Sequence, residues 1–457
     1  MDTPSPLSRR GLLRYTAAAS ALSALNAARA FAADPAAKPE PGKPADPAPK
    51  PADEKPTTDK PTRSDFRIGL VGCGGQGTGD AKDAQRFGKV VAVCDVDESH
   101  LAKAQKTFAG AKPFKDFRKL MEEKDVEVVI CGTVDHWHTL VSMAAMRAGK
   151  DVYCEKPLTL CIDEGKRLVK TQKETGRVLQ TGTQQRSDVY FQRAVERIHA
   201  GRIGKLKHID VWVPAGKREG PFKPAPVPPE FDWDLWQGQI APVEYVKERG
   251  HVNFRYWWDY SGGTITDWGA HHNDIALWAT GFDRSGPVSA EGKALVEMIP
   301  GGFTANSEYE IHFTYPNGLT HTCYSTKDST PFGGTVNAKG KVHGIKFHGT
   351  DGWIWVTRGN IDASDKDIIR QDPKAPRQIF DHRGNFFRSV ETRQPPRCDV
   401  EIGHRSATMC HLGVAAVRLG RKLNWDPSKE EYVGDAEAQK TVAREMRKPY
   451  DYSYIGA

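Results

Sequence analysis

The stretch FRIGLVGCGGQGTGD, residues 66–80, decides the fold of this chain. It opens with a short apolar run over residues 68–71, which predicts a buried strand, and continues with Gly72, Gly74 and Gly77 in the spacing G-x-G-x-x-G. In this arrangement the first glycine makes a tight turn, the second lets the backbone approach a pyrophosphate, and the third lets the next helix pack on the strand. Backbone amides at the start of that helix hold the phosphates. A glycine triplet also occurs in ordinary turns, so the interpretation depends on the next segment of the chain.

That next apolar segment supplies the context that a nucleotide site needs. Residues 90–93 predict a second strand, and Asp95 follows it about 20 residues beyond the glycines, where an acidic residue binds the hydroxyls of an adenosine ribose. The carboxylate of Asp95 would repel a 2′-phosphate, and no arginine follows directly to compensate. The sequence therefore predicts a dinucleotide site and favours NAD over NADP.

Size, charge and cysteine content narrow the class of protein. With 457 residues the chain has room for two domains with sizeable cores. The net charge of +7 is spread along the chain without a dense Lys/Arg run, so the sequence does not support nucleic-acid binding. The eight cysteines show no paired spacing, which favours buried free thiols over disulfides or a metal site.

The N-terminus has the pattern of an export signal. Residues 8–13 read SRRGLL, a twin-arginine pattern, and an Ala/Leu segment with candidate A-x-A cleavage sites at 28–30 and 30–32 follows. A chance arginine pair before an Ala-rich helix is the alternative. We predict a twin-arginine signal peptide over residues 1–32 and a periplasmic or otherwise exported protein. The apolar part is short for a membrane span, and no other segment is long and apolar enough to form one.

Residues 33–64 have a different composition from the rest of the chain. They are rich in Pro, Lys, Ala and Asp and contain almost nothing to bury. This predicts a linker that its prolines keep semi-extended. An arm that embraces a neighbouring subunit is the alternative interpretation.

Residues 65–158 alternate between predicted strands and helices. This alternation calls for a parallel sheet covered by helices, a Rossmann dinucleotide-binding domain. Because ligands bind in this fold at the carboxyl ends of the strands, two loops are candidates for chemistry: residues 132–138, GTVDHWH, and residues 154–157, CEKP. An amine such as that of Lys156, in a partly desolvated cleft, suits proton transfer. An ordinary surface lysine is the alternative.

These motifs resemble those of a known family. The turn GCGGQG, the loop TVDHWH and the tetrapeptide CEKP, in this order and spacing, resemble the Gfo/Idh/MocA family of nicotinamide-dependent oxidoreductases, and the N-terminus suggests a twin-arginine-exported subgroup. Val134 departs from the proline that is usual in the family's loop. By this resemblance Lys156 corresponds to the catalytic lysine and His138 to a residue near the nicotinamide. The residues expected to bind the cofactor are Gly72, Gly74, Gly75, Gln76, Gly77, Asp95, Thr133, His138, Glu155 and Lys156.

Residues 159–457 predict an α+β domain for substrate binding and oligomerisation. Strand patterns recur between residues 288 and 357, which indicates a large, mostly antiparallel sheet, and Asn317 and Gly318 mark a hairpin turn between two of its strands. One face of such a sheet can remain free for a partner, so we expect a homo-oligomer. An amphipathic helix is expected over residues 404–419.

Two adjoining segments of this second domain carry candidate chemistry. Residues 254–263, FRYWWDYSGG, concentrate aromatic side chains that form either core or a wall that stacks on sugar rings. After them, Asp267, His271 and Asp274 share one face of a predicted helix. The pair Asp267 and His271 suits a general base whose imidazole is oriented by a carboxylate. A buried structural histidine, or a metal site with the earlier loop's histidines, are the alternatives. No tight ligand spacing supports a metal, and none is expected.

The family resemblance also assigns roles to residues of both domains. Its D-x-x-x-H element works with the lysine to take a hydroxyl proton while hydride leaves the carbon for the nicotinamide. The implied catalytic residues are Lys156, Asp267 and His271. The further substrate-site candidates are Arg186, Trp258 and Asp274.

The sequence thus predicts an exported NAD-dependent oxidoreductase that acts on a sugar or polyol. Because a periplasm holds little free dinucleotide, the cofactor is expected to stay bound and to be regenerated in the site. The alternative is a redox-neutral NAD-dependent glycosidase or lyase, which oxidises one ring carbon, eliminates the glycosidic bond and returns the hydride. By the family resemblance, the presence of Lys156 favours the first interpretation, because the similar glycosidases often lack this lysine. A non-catalytic sugar- or nucleotide-binding protein on the same scaffold is a third interpretation.

Overall fold

A computed structural model of the chain describes residues 59–326, 343–371 and 380–456. Its first sheet contains six parallel strands: β1 (Phe66–Val71), β2 (Gly88–Cys94), β3 (Lys112–Phe114), β4 (Val128–Cys131), β5 (Asp151–Cys154) and β6 (Leu179–Thr181). Their order is β3-β2-β1-β4-β5-β6. The strand order reverses beside β1, and an α/β sheet of this kind binds its ligand in the crevice at the carboxyl ends of the strands flanking that point.

The second sheet contains nine strands: β7 (Leu206–Pro214), β8 (Ser289–Ala294), β9 (Tyr309–Thr314), β10 (Thr320–Thr326), β11 (Gly344–Gly349), β12 (Trp353–Thr357), β13 (Asn360–Ala363), β14 (Lys422–Asp426) and β15 (Glu431–Tyr432). Their order is β13-β12-β11-β7-β10-β9-β8-β14-β15. Strands β7 and β10 pair in parallel, and the other neighbours pair antiparallel. The predicted fold class is therefore confirmed: a Rossmann domain and a domain with a large, mostly antiparallel sheet.

The α-helices lie between and around these strands. They are α1 (Gly75–Ala84), α2 (Glu98–Thr107), α3 (Phe117–Met121), α4 (His138–Arg147), α5 (Ile162–Thr175), α6 (Val189–His199), α7 (Trp233–Gln237), α8 (Thr264–Asp267), α9 (Gly269–Thr280), α10 (His382–Thr392), α11 (Val400–Leu419) and α12 (Ala436–Gln439). Short 3-10 helices span Asp135–Trp137, Gln184–Ser187, His251–Tyr256 and Tyr452–Ile455.

The second sheet has one face in the core. In β9 the side chains of Tyr309, Ile311 and Phe313 are buried and alternate with more exposed polar residues, which is the pattern of a sheet covered on one face. Helix α11 packs against this sheet at β8 and also against α5, so it joins the two halves of the molecule. The hairpin between β9 and β10 has the expected turn, with Gly318 at a φ of +79°.

The folded unit extends beyond the boundaries that the sequence predicted. Strand β6 pairs with β5, so the first sheet continues past residue 158. Asp59, within the predicted linker, is buried and accepts hydrogen bonds from Arg397 (3.0 Å) and Asn385 (3.1 Å). The fold therefore begins before residue 65. The predicted signal peptide and the earlier part of the linker lie outside the described residues. Within the described ranges, no helix combines the length and the apolar character that crossing a bilayer requires.

Candidate active site

A cavity of about 510 Å³ lies at the carboxyl ends of β1, β2, β4 and β5. Its wall takes residues from the glycine turn, from the loops after those strands, from the 3-10 helix His251–Tyr256, and from α8 and α9. The two domains thus meet around one space. The predicted site residues in its wall are Gly72, Gly74, Gly75, Gln76, Asp95, Thr133, Glu155, Lys156, Asp267 and His271.

The glycine turn forms a cradle at one end of this cavity. Gly72 has a φ of +89°, which favours glycine, and a Cβ on Gly77 would lie 2.1 Å from the Gly72 carbonyl oxygen. Glycine at both positions therefore lets the start of α1 approach β1. A Cβ on Gly74 or Gly75 would meet nothing within 4 Å, so the helix N-terminus faces open space. These residues fit the pyrophosphate of NAD, which backbone amides at a helix start bind well. Gly77 serves the packing behind the cradle and is not in the cavity wall.

Asp95 lies beside the cradle at the end of β2. One of its carboxylate oxygens accepts a hydrogen bond from the backbone N–H of Cys73 (2.7 Å), and the other accepts one from the backbone N–H of Asp97 (2.9 Å). These two bonds fix the carboxylate in the cavity wall. Its position fits the recognition of ribose hydroxyls that the sequence predicts.

His138 takes a different place from the one expected. Its Nδ1 lies 2.7 Å from the carbonyl oxygen of Pro157, and its Nε2 lies 3.2 Å from that of Thr133. The side chain is buried and is absent from the cavity wall. His138 therefore connects the loops after β4 and β5 from behind. This corrects the expectation that it contacts the cofactor directly: the ring is already held between two backbone carbonyls.

Lys156 and Asp267 form an ion pair in the cavity wall. The Lys156 Nζ donates to Asp267 Oδ1, and the Nε of Arg255 lies 3.5 Å from Asp267 Oδ2. Burial raises the pKa of Asp267, but the positive charges of Lys156 and Arg255 outweigh this effect and hold the pKa below its usual value. The carboxylate is therefore ionised near neutral pH, and it positions the lysine ammonium toward the cavity.

His271 lies at the same end of the cavity as this ion pair. Its side chain is 6% exposed, and its Nδ1 has no hydrogen-bond partner among the described residues. Burial, with a further contribution from the charge of Lys156, lowers the pKa of His271 well below its usual value. The imidazole is therefore neutral near pH 7 and has one ring nitrogen without a proton.

The predicted pairing of Asp267 with His271 is wrong. The carboxylate of Asp267 contacts Lys156 and Arg255 instead. The reason lies in the backbone between α8 and α9, where the N–H of His271 donates to the carbonyl oxygen of Trp268, three residues earlier, at 3.0 Å. This tighter turn changes the spacing that a regular α-helix would give the two side chains.

Among the charged residues of the cavity wall that were not predicted as site residues are Asp135, Arg255 and Arg358. Asp135 is buried and accepts a hydrogen bond from the Ser261 hydroxyl (2.6 Å). Burial raises the pKa of Asp135 to about 7. Its place in the loop after β4 was a signal that sequence reasoning could have used. Arg255 belongs to the aromatic segment that the sequence analysis singled out, whereas Arg358 comes from a distant strand segment with no such signal.

Two family profiles match the regions that build this site. The profile described as an oxidoreductase family with an NAD-binding Rossmann fold matches residues 66–183, and the one described as the C-terminal alpha/beta domain of that oxidoreductase family matches residues 206–452. The chain belongs to the Gfo/Idh/MocA oxidoreductase family. The resemblance of the turn, loop and CEKP motifs is thereby confirmed, and so is the prediction of an NAD-binding domain.

Curated relatives of this Gfo/Idh/MocA chain include two inositol dehydrogenases. The myo-inositol 2-dehydrogenase of Thermotoga maritima is 28% identical over 234 residues, which are 51% of this chain and 60% of that protein. The scyllo-inositol 2-dehydrogenase (NAD(+)) of Bacillus subtilis is 25% identical over 268 residues, 59% of this chain and 66% of that protein. The chain thus spans less than two thirds of the length of either relative.

Solved structures share the fold of this Gfo/Idh/MocA chain. The WlbA dehydrogenase from Bordetella pertussis, in complex with NADH and UDP-GlcNAcA, has a TM-score of 0.59 at 19% identity and covers 79% of this chain and 98% of its own. A levoglucosan dehydrogenase in complex with NADH and levoglucosan has a TM-score of 0.59 at 16% identity, covering 79% and 99%. At these identities the likeness is one of fold.

The three substrate-site candidates in this family member are absent from the cavity wall. Arg186 and Asp274 form a buried, bidentate ion pair, with N–O distances of 2.8 and 2.9 Å. The ring of Trp258 lies against the guanidinium groups of Arg418 (4.3 Å) and Arg444 (3.7 Å). The expectation that they contact a substrate in the cavity is corrected, because each side chain is engaged by another part of the fold.

The aromatic segment before α8 belongs mainly to the core. Trp257 and Tyr260 are buried in a cluster with Phe231 and Trp236. Phe254 is buried in the same cluster but also reaches the cavity wall. Of the two interpretations, core packing is therefore the one that most of these rings follow.

The structure also locates the candidate metal ligands and the free thiols of this family member. Within the described ranges, the one group of three ligating side chains with atoms close together, within 4.8 Å, is Asp97, His100 and His251 at the cavity wall. His136 lies apart from it, with Nε2 2.8 Å from the carbonyl oxygen of Trp236. That no metal binds stays a prediction. All eight cysteines are buried and free, as expected.

Proposed function

We propose that this protein is an NAD-dependent oxidoreductase that transfers hydride between a hydroxyl-bearing carbon of a sugar or polyol and the nicotinamide. The observation that carries the proposal is the placement of Lys156, Asp267 and His271 together in a cavity whose wall also holds the glycine cradle and Asp95. The family match supports the cofactor, and the inositol dehydrogenases among the relatives support a polyhydroxylated substrate.

In the proposed reaction, one side chain accepts the hydroxyl proton and another stabilises the charge that develops on the oxygen. Bound NAD would supply the hydride acceptor for this reaction, and the hydroxyl on the oxidised carbon must lose its proton. His271 is the base in this proposal, because its imidazole is neutral and lies in the cavity wall. The ammonium of Lys156, held by Asp267, stabilises the negative charge that develops on the hydroxyl oxygen. The reverse reaction returns the proton from His271.

The direct test of this activity is a panel of sugars, polyols and aryl glycosides. An oxidoreductase would reduce NAD with a subset of the sugars and polyols, measured by the absorbance of NADH, and chromatography would identify the oxidised product. Release of the aryl alcohol without net NADH would instead identify the redox-neutral glycosidase or lyase. The intact Lys156–Asp267 pair supports the first outcome.

The cofactor is proposed to stay bound through the catalytic cycle. Support comes from a loop of the second domain that lies along the nucleotide side of the cavity: the N–H of Glu98 donates to the carbonyl oxygen of Glu230 (2.9 Å), and that of Asp232 donates to the carbonyl oxygen of Val96 (3.1 Å). Between them Phe231 enters the cavity wall. Release of the dinucleotide would require this contact to open. Gentle denaturation of purified protein should release about one dinucleotide per chain, quantified by mass spectrometry, and a nucleotide-free preparation would argue against the idea.

We also propose that the protein is exported and that it forms a homo-oligomer. The twin-arginine pattern supports export to the periplasm, and Arg9→Lys combined with Arg10→Lys should retain the full chain in the cytoplasmic fraction. The outer side of β9, where Glu310, His312 and Thr314 are more exposed than the core-facing residues, supports a homo-oligomer. Light scattering on the purified full chain measures its mass, and a monomer at micromolar concentration would contradict the oligomer.

A further inference from the structure

The cavity has an excess of positive charge beside the proposed catalytic residues. Arg255 and Arg358 line the wall together with Lys156. The one carboxylate beside Arg255 within ion-pair distance, among the described residues, is Asp267, at 3.5 Å. That carboxylate is already bound by Lys156. Two cations therefore share the Asp267 carboxylate, and Arg358 has no carboxylate within ion-pair distance among the described residues, with Asp188 and Asp267 acting on it only at longer range.

Arg358 has the greater capacity for a ligand. Its Nε donates to the side-chain oxygen of Gln185 (2.9 Å), and its guanidinium lies 5.0 Å from the ring centre of Trp268. These contacts orient the group, while its two Nη atoms have no hydrogen-bond partner among the described residues. In Arg255, Nη1 donates to the carbonyl oxygen of Val252 (2.9 Å), and the buried Nε has no hydrogen-bond partner in the part of the chain that is described.

Among the described residues, the remaining acidic side chains of the wall form no ion pair with either arginine. Asp95 and Asp97 lie toward the nucleotide cradle and accept hydrogen bonds from backbone amides. Glu155 is directed toward Asp80 and Arg383. Asp135 is hydrogen-bonded to Ser261. An anion brought by the substrate would satisfy the guanidinium groups, since their planar forks match the two oxygens of a carboxylate or phosphate.

We propose that the substrate is an anionic sugar derivative, a sugar acid or sugar phosphate, whose negatively charged group is bound by Arg358 and Arg255 while its reacting hydroxyl faces Lys156 and His271. This inference rests on the proposed hydride transfer and goes beyond it, because it selects against the neutral polyols that the relatives' names suggest. Arg255 and Arg358 are specificity-determining residues in this proposal.

The test compares matched anionic and neutral compounds on the full-length holoenzyme. The pairs are gluconate with glucitol, glucuronate with glucose, and glucose 6-phosphate with glucose, each read as kcat/KM from the single-turnover reduction of the bound NAD. We expect the preferred anionic member to exceed its neutral partner by about 10- to 100-fold, the range that one charge-assisted hydrogen-bonding group provides. The acid and phosphate arms identify which anion is recognised.

Variants connect this preference to the two arginines. Arg358→Gln and Arg255→Gln should each lower the ratio of kcat/KM for the anionic compound to kcat/KM for its neutral partner by about 10-fold or more, chiefly through the KM of the anionic compound. Arg358→Lys should retain part of the preference because it keeps the charge but loses the fork. The matched control is Arg202→Gln, an exposed arginine away from the cavity wall, which should change neither value.

Three outcomes would overturn the inference. One is equal kcat/KM for anionic and neutral members of every pair, which would leave hydride transfer itself intact. Another is an equal loss for both members in Arg358→Gln. The third is a weaker affinity for NAD in the variants with an unchanged anion preference. Calorimetric titration of gluconate and glucose 6-phosphate separates this question from catalysis: binding that depends on Arg358, without any NADH formation, would support the anion site and contradict the proposed function.

Discussion

Two ion pairs of this protein have the same chemistry and different surroundings. Lys156 pairs with Asp267, and Arg186 pairs with Asp274, with the two acids seven residues apart on consecutive helices. In the first pair both side chains are 15% exposed and border the cavity. In the second they are 2% and 0% exposed and lie outside its wall.

Hydrogen bonding separates these pairs further. The guanidinium of Arg186 binds both oxygens of Asp274 and also Asp283 (2.8 Å), so its donors are largely used inside the fold. Burial lowers the pKa of Arg186, but these carboxylates outweigh it and raise the pKa above the usual value. The Lys156 ammonium donates to the carboxylate of Asp267 and, at 3.5 Å, to its backbone carbonyl oxygen, so it keeps one of its three donors for a ligand. A fully hydrogen-bonded, buried ion pair stabilises the fold. An ion pair at a cavity that keeps a free donor can bind a ligand.

Removal of the Lys156 ammonium should have the largest effect on turnover. Lys156→Ala should lower kcat by about 10³- to 10⁴-fold, the upper range for a group that acts on the transferred proton or its charge. The bound dinucleotide and the unfolding midpoint should stay close to those of the wild type. The control is Lys170→Ala, whose side chain is 77% exposed. Unchanged turnover in Lys156→Ala would remove this residue from the mechanism.

The buried pair should respond in stability rather than in turnover. Asp274→Asn leaves the Arg186 charge without its bidentate partner and should lower the free energy of unfolding by about 3–5 kcal/mol, measured by chemical denaturation. The control is Asp283→Asn, because Asp283 is the more exposed partner of the same arginine, and its cost should be smaller. Turnover per folded molecule should be retained in both variants. A stable but inactive Asp274→Asn would place this pair in the chemistry.

Asp267→Asn is the counterpart of that change at the cavity. We expect a loss of about 10²-fold in kcat, since the ammonium of Lys156 loses the group that positions it. The stability cost should be only about 1 kcal/mol, because water reaches this pair. Denaturation and steady-state kinetics on the same preparation provide both values. A stability loss equal to that of Asp274→Asn would show that the two pairs do not differ as proposed.

The buried carboxyl of Asp135 should make the stability of the protein depend on pH. Asp135 has a hydroxyl rather than a cation as its hydrogen-bond partner, and burial raises its pKa to about 7. The folded state therefore retains this proton up to about pH 7, whereas an unfolded aspartate releases it near pH 4, so stability falls as pH rises between these values.

Asp135→Asn should remove this contribution. Between pH 5 and pH 8 the wild type should lose about 2 kcal/mol more unfolding free energy than the variant. Denaturant titrations at both pH values check this. Parallel losses in the two proteins would mean that Asp135 is ionised in the fold near pH 5.

Much of the nucleotide end was predictable from sequence. The glycine spacing, the strand before it and Asp95 after the second strand are all local features, and the cavity wall contains Gly72, Gly74 and Asp95 as expected, while Gly77 lies behind it. The placement of Lys156 and His271 in one cavity was also predicted, although through the family resemblance rather than from the residues alone. Their catalytic roles stay predictions.

Several sequence predictions for the substrate-binding residues were wrong. The assumption of a regular helix through Asp267 and His271 gave a pair that the tighter turn at Trp268 does not allow. Arg186 and Asp274 have the residue types of a binding site, yet the fold uses them to neutralise each other. Arg255 and Arg358 come from segments about 100 residues apart, and no local sequence pattern predicts that both line the cavity.

The sequence by itself determined a dinucleotide-binding sheet, its cofactor class and the two loops at the strand ends, because turns and strands depend on residues close together in the chain. Only the tertiary structure decided which charges neutralise each other and which remain exposed to a ligand. That division depends on desolvation and on partners distant in sequence, and both arise only when the two domains pack around a common cavity.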